Sequence, residues 1–162
     1  MDLRNSSSEV PSAIECRACG ADKYPAAAHL RQEMALELGS DFDAIASDWR
    51  AKFCAYFGGK QAAGNAQLFL AYDGAEPIGC AIVSILEHYR RYVFGTENAY
   101  VNAVYVRPQY RRRGIAKRLM ELVIAWSRER GCAGVRLRAS DEGRFLYEHI
   151  GFREGREMEF DL

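Results

Sequence analysis

Residues 98–131 read NAYVNAVYVRPQYRRRGIAKRLMELVIAWSRERG, and their order decides the fold. Asn98 to Val106 is rich in Val and Tyr, which predicts a strand, and Pro108 stops it because a proline cannot extend a ladder. From Arg113 to Arg130 the period changes: Ile115, Leu119, Leu122, Val123 and Trp126 share one face of an amphipathic helix, and Gly131 ends it. Between the two lies Arg111-Arg112-Arg113-Gly114-Ile115-Ala116. A helix N-terminus presents unpaired N–H groups and partial positive charge, a natural site for a pyrophosphate. Gly114 has no Cβ, so a ligand can approach the backbone closely, and Ala116 keeps the next turn small. The arginines add fork-shaped donors.

A run of arginines alone would read as a solvated loop. The context of strand, proline, arginines, small residues at alternate positions and helix argues for an anion site instead. It is neither a Walker-type phosphate loop, which needs G-x-x-x-x-G-K-[ST], nor a dinucleotide fingerprint, which needs G-x-G-x-x-G after a strand.

Working outward, residues 13–19 alternate as a first strand, and Asp22 to Leu38 predicts a helix stopped by Gly39. Asp43 to Phe57 predicts a second helix, with Ile45, Trp49, Phe53 and Phe57 on one face and Gly58-Gly59 as its end. Gln67 to Tyr72 and Pro77 to Leu86 form a hairpin about the Asp73-Gly74 turn. Arg90 to Glu97 reads as a loop, Gly134 to Ala139 as a strand, Glu142 to Ile150 as a short helix closed by Gly151, and Met158 to Leu162 as a last strand. The expected fold is α/β, with a mixed central sheet that is mainly antiparallel and becomes parallel where a helix crosses over.

The 162 residues suit one domain, taken as residues 13–162 after a disordered polar tail over 1–12. Twenty-two basic residues balance 22 acidic ones, whereas a nucleic-acid binder would be basic overall. No apolar run approaches the roughly 20 residues that cross a bilayer, so neither nucleic acid nor a membrane is an expected partner. Five scattered cysteines fit a reducing, cytoplasmic setting. Cys16 and Cys19 form one C-x-x-C without a second pair or nearby histidines, so no metal site is expected.

The Arg111–Ala116 segment resembles the pyrophosphate motif [QR]-x-x-G-x-[GA] of the GNAT superfamily of acyl-CoA-dependent N-acyltransferases. Arg111 stands at the first position, Gly114 at the fourth and Ala116 at the sixth. Family members carry an Asn, a small residue, a Tyr and Gly-Phe after the next strand; this chain has Ser140, Gly143, Tyr147 and Gly151-Phe152. The resemblance implies two parallel strands that splay around a CoA arm, with acetyl-CoA as acyl donor. It places Val104, Tyr105 and Val106 beside the pantetheine through their backbone. It gives the pyrophosphate to Arg111, Arg112, Arg113, Gly114, Ile115 and Ala116, and the cofactor arm to Ser140 and Gly143. Ser140 departs from the usual Asn and is shorter.

Tyr147 is the expected catalytic acid. Glu97, just before the central strand, is the first choice for the base; Glu87, Asp48, His88 and His29 are the alternatives. The first two helices and the loop from Arg90 to Glu97 are expected to form the acceptor wall, with Tyr100 and Asn102 and, from the first helix, Arg31, Glu33 and Met34 as candidate lining residues. Cys80 and Cys132 lack an activating histidine, so direct attack in a ternary complex is expected over a covalent route. The expected activity is acetyl transfer to an amine of a small molecule or peptide, with a non-catalytic acetyl-CoA sensor as the alternative. Dimers are common for the family, so a homodimer is an open arrangement.

Overall fold

A computed structural model describes residues 13–162; the tail expected over residues 1–12 lies outside the described residues. The sheet is built on the hairpin of β2 (Ala66–Asp73) and β3 (Glu76–Ile85). From Ile78 to Ile85 every residue of β3 is buried, so both faces of this strand are covered. β1 (Glu15–Cys19) pairs antiparallel with β2, and β4 (Asn98–Val106) pairs antiparallel with β3. β5 (Gly134–Arg136) pairs parallel with β4, giving the order β1-β2-β3-β4-β5. The mixed, mainly antiparallel sheet is therefore as the sequence predicts.

Helices cover the two faces. On one face α1 (Tyr24–Glu37) and α3 (Trp49–Ala62) bury Tyr24, Leu30 and Phe57 against Leu68, Leu70 and Ile82. On the other, α5 (Ile115–Glu129) lays Ile115, Leu119, Met120 and Val123 on Phe69, Ala81, Val83 and Val101. Each such side chain contributes about 1.5–3 kcal/mol by leaving water. α6 (Asp141–Ile150) joins this second core through Tyr147 and Ile150.

Several elements differ from the sequence reading. The helix expected over Asp43–Phe57 is two: α2 (Phe42–Ile45), capped by Asp41 Oδ1 accepting from the Asp43 N–H at 3.0 Å, and then α3. Ala46 is extended between them, which leaves Ile45 exposed and off the face of Trp49. Gly58 and Gly59 do not end α3. Gln61 in its last turn donates to the Cys19 carbonyl at 2.8 Å and accepts from the Tyr24 hydroxyl at 2.8 Å. Those bonds outweigh a propensity cost of about 1 kcal/mol per glycine. Residues 89–94, expected as loop, form α4 (Tyr89–Phe94), capped by the His88 ring and closed by left-handed Gly95. The strand expected over Gly134–Ala139 stops at Arg136, because β5 then diverges from β4. Met158–Leu162 is not a strand: with no continued β5 edge to pair with, Met158, Phe160 and Leu162 stay exposed.

Candidate active site

Two features of β4 shape the site. Ile82 pairs with Ala103 and Val83 with Val101, so Asn102 is the extra residue of a β-bulge. Beyond Tyr100, β4 has no partner on its β5 side, because only Asn98–Tyr100 pair with Gly134–Arg136. The Val104 N–H and C=O and the Val106 N–H therefore keep a free edge along the gap, while Tyr105 turns its backbone groups to β3 and the Val106 carbonyl is taken by Arg111 Nε.

β4 runs into the arginine loop. Arg112 (φ 65°) and Gly114 (φ 73°) both adopt left-handed backbone before α5 starts. Among the described residues, the N–H groups of Arg112, Arg113 and Gly114 donate to no backbone carbonyl, and Ile115 and Ala116 open the helix where no intrahelical acceptor exists. A Cβ at Gly114 would meet nothing within 4 Å, so open space lies over the loop. Buried Ile115 anchors the helix end beneath it.

The arginine side chains serve mainly the protein. Arg111 donates from Nε to the Val106 carbonyl at 2.9 Å and pairs with Glu37 at 2.8 Å, which holds the Glu37 carboxyl below the usual range. Arg107 grips both oxygens of Glu33 at 2.9 Å and reaches Glu76 at 2.6 Å. Arg113 donates to the Gln109 carbonyl, and Arg112 is exposed.

On the far side of the gap, Ser140 is the N-cap of α6: its Oγ accepts from the Gly143 N–H at 3.1 Å. A Cβ on Gly143 would lie 3.0 Å from Tyr147 Cε2 and 3.1 Å from Ser140 Oγ, so glycine there makes room for the ring. Tyr147 stands edge-on to Phe152 at 5.8 Å, and burial pushes its hydroxyl pKa up. The conformation that brings Ser140, Gly143 and Tyr147 together is thus local to one helix start.

The face of the sheet away from α5 carries a cavity of about 380 Å³. Phe42, Trp49, Phe53 and Phe57 wall it, and Ile82, Asn102 and Ala103 form its floor at the bulge. Arg31 is its charged member, with its guanidinium 5.2 Å from the Phe42 ring centre. Asn102 donates to Ser84 Oγ at 2.8 Å and to the Tyr100 carbonyl at 3.0 Å. A second cavity, about 360 Å³, is bounded by His88, Arg90, Thr96, Asn98 and Arg136. Ala99 and Val135 pack into the α5 core, so strand alternation turns their neighbours Asn98 and Arg136 to the same face as the first cavity.

Of the other expected wall residues, Glu33 is held by Arg107 and faces His29 at 3.2 Å, and Met34 packs into the core. Neither lines a cavity. Glu97 is clamped, Oε1 by Arg91 Nε at 3.0 Å and Oε2 by Arg130 at 3.6 Å, and it too lies outside both cavities. Glu87 pairs with Arg91 and accepts from the Tyr92 hydroxyl; Asp48 pairs with Lys52. Cys80 is fully buried, which pushes its thiol up to about 12, so it supplies no thiolate. Cys16 packs with the α5 core and Cys19 with the α1 core, so the C-x-x-C points to opposite faces. Trp49, Phe53 and Phe57 stand on the second expected helix, where the sequence placed the wall; Phe42, just before the expected start of that helix, escaped the sequence reading. Its signal was the Asp41 cap, which turns Phe42 back towards Trp49 at a ring distance of 5.0 Å.

Residues 29–152 match the Acetyltransferase (GNAT) family. Over 69 residues the chain is 36% identical to an aminoglycoside N(6')-acetyltransferase type 1 of Acinetobacter genomosp. 13, a match covering 39% of this chain and 47% of that protein. The chain thus spans about half the length of this curated relative. A GCN5-related N-acetyltransferase from Ralstonia eutropha superposes with a TM-score of 0.77 at 26% identity, covering 93% of this chain and 99% of that one. A predicted acetyltransferase from Clostridium acetobutylicum, solved with acetyl-CoA, gives 0.79 at 21% identity, covering 92% and 96%. With its free β4 edge, its open loop at Gly114 and a family match over most of its length, the chain belongs to the GNAT acetyltransferase family.

Proposed function

We propose that this protein transfers the acetyl group of acetyl-CoA to a primary amine of a small molecule or peptide, by direct attack in a ternary complex. The observation that carries the reading is β4, unpaired on its β5 side from Val101 to Val106 and running straight into a loop whose N–H groups face no protein carbonyl. These groups suit the two ends of the donor. The free edge offers N–H groups to a thioester carbonyl and to amides of the pantetheine arm. The loop at Arg112–Ala116 offers N–H groups to the pyrophosphate. Space over Gly114 admits it. Ser140, whose lone pair serves the α6 cap, retains its hydroxyl proton for the cofactor arm.

In the proposed reaction the neutral amine nitrogen bonds to the acetyl carbon, the carbon–sulfur bond breaks, the sulfur takes a proton from Tyr147, and the proton that the new amide nitrogen sheds restores the tyrosine through water. Burial above the ordinary tyrosine pKa keeps that proton in place at neutral pH. The amine's own proton leaves to water at the cavity mouth, since no carboxylate lines either cavity among the described residues. Glu97, expected as the base, instead fastens α4 and the end of α5 to the start of β4. Calorimetry with CoA, followed by thiol release from acetyl-CoA across a broad amine panel, tests the reading. CoA binding with no turnover on any amine would make the protein a sensor, and absence of CoA binding would remove the reading altogether.

A further inference from the structure

We propose that the acceptor is an amine that carries a carboxylate on an aromatic or apolar body, recognised by Arg31 within the Phe42–Trp49–Phe53 cavity. The inference rests on the acetyltransferase reading and names its substrate class. It disagrees with the simplest extrapolation from the aminoglycoside-modifying relative, because aminoglycosides are polycations.

The argument begins with charge. Of the acids around the first cavity, exposed Asp41 accepts the Asp43 N–H, and the others are held by side chains. Asp43 is bonded by Arg50, Trp49 Nε1 and Gln32; Glu33 is gripped by Arg107; Glu37 is paired with Arg111. Arg31 is the opposite case. Among the described residues it makes no ion pair or hydrogen bond, and its contact is the face of Phe42 at 5.2 Å. Burial pulls its pKa below the usual arginine value, as expected of a guanidinium taken from water without a counter-ion. A cation held this way favours an anionic ligand, and its planar fork matches a carboxylate in two-point contact.

The second cavity gives the same sign independently. Arg90, Arg136 and His88 bound it and no acid does. Both cavities open on the sheet face away from α5, so an acceptor meets guanidinium groups along that face. A polycationic sugar would have to approach them without one unpaired lining carboxylate. The remaining wall fixes the body of the ligand. Phe42, Trp49 and Phe53 stand in a T-shaped chain with centroids 5.0 and 6.0 Å apart, a surface that suits a flat or apolar group. A volume of about 380 Å³ limits it to a small molecule or one peptide end.

The test uses the full chain and three aromatic amino acids: L-phenylalanine, L-tryptophan and 4-(aminomethyl)benzoate. Each is paired with its amide, and tobramycin serves as polycation. Calorimetry first establishes CoA binding; its failure would remove the acetyltransferase reading before acceptor choice is asked. Thiol release then gives KM for each member, and calorimetry with CoA present gives binding apart from turnover. At least one acid should bind about ten- to hundredfold tighter than its amide. Arg31→Gln should abolish that preference, and Arg31→Lys should restore part of it, with melting temperature and CoA affinity as folding controls. The proposal is overturned if the amides match the acids in all three pairs, if tobramycin is preferred, or if Arg31→Gln leaves the preference intact.

Discussion

Around the junction of β4 and α5, two guanidinium groups are neutralised by the protein itself, Arg107 by Glu33 and Glu76 and Arg111 by Glu37, while exposed Arg112 and Arg113 and the backbone N–H groups remain open. On the acceptor face the acids are mostly the neutralised groups, and Arg31, Arg90 and Arg136 remain without an ion pair among the described residues. A basic stretch is therefore a poor guide to where positive charge is available. The stretch that looks most cationic in the sequence spends Arg107 and Arg111 on the protein's own acids and adds open backbone dipoles to what Arg112 and Arg113 supply. A single arginine in an unremarkable helix offers the bare charge. The two regions meet at the bulge of β4, where Asn102 and Ala103 floor the cavity and Val104 begins the cofactor edge.

The largest effect should come from Tyr147, the residue proposed to serve the reaction between these regions. Tyr147→Phe keeps the ring against Gly143 and Phe152 and removes only the proton donor. Turnover should fall about ten- to ten-thousandfold, with melting temperature and CoA affinity near wild type. The pH profile adds a sign. Burial raises the Tyr147 pKa above its ordinary value near 10, so the donor stays protonated through neutral pH, and loss of rate attributable to it should come only above about pH 10. Steady-state rates from pH 6 to 11 would show this. A fully active Phe variant would mean the thiolate leaves unaided.

Next in size is the loop. Gly114 is left-handed and its Cβ direction is empty of protein, so strain and occlusion can be separated. Asn tolerates the left-handed region far better than Val. Gly114→Asn should therefore melt close to wild type yet bind CoA about ten- to hundredfold more weakly by calorimetry. Gly114→Val should lose affinity and some stability. Unchanged CoA affinity in either folded variant would place the pyrophosphate elsewhere and dissolve the contrast between the two regions.

The half proposed to hold the cofactor was legible as structure because its information is local. Strand, turn and helix start occupy consecutive residues, and Asn98–Val106 forms β4 with the bounds its pattern predicts. The Gly143–Tyr147 contact is one helical turn long and was readable as spacing. The acceptor cavity joins α1, α2, α3, β3 and β4, so its content depends on which ion pairs form across the chain. Arg31, Glu33 and Met34 have equal standing in sequence; only the long-range bond from Arg107 removes Glu33 and leaves Arg31. The bulge at Asn102 was hidden for the same reason, since it exists only relative to the register of β3.

A smaller effect should separate stability from ligand binding in the arginine-rich stretch. Arg107→Met leaves Glu33 partly buried with its two closest donors gone. The loss should be about 1–3 kcal/mol, seen as a drop of several degrees in melting temperature, while CoA affinity stays near wild type. A variant that melts normally but binds CoA poorly would show that Arg107 serves the ligand rather than Glu33.

The smallest change in turnover is expected at the residue that sequence position favoured as the base. Glu97 sits one residue before β4, with one oxygen 3.0 Å from Arg91 Nε and the other 3.6 Å from Arg130. A base must present a lone pair to the amine, and both oxygens here face guanidinium groups that bind the charged form. The clamp also has a structural task. Arg91 belongs to α4 and Arg130 follows α5, and both reach Asn65 as well, at 3.2 and 3.0 Å. Glu97→Gln keeps the shape and one acceptor oxygen but removes the charge. It should lower the melting temperature by a few degrees, the scale of about 1 kcal/mol for partly exposed pairs in a chain of this size. Turnover should stay within about threefold of wild type with an unshifted acid limb, since no proton-transfer step is lost. A hundredfold loss, with the acid limb of the pH profile removed and the melting temperature unchanged, would restore Glu97 as the base. It would also put a working carboxylate on the acceptor side, where the ion pairs now leave only positive charge exposed.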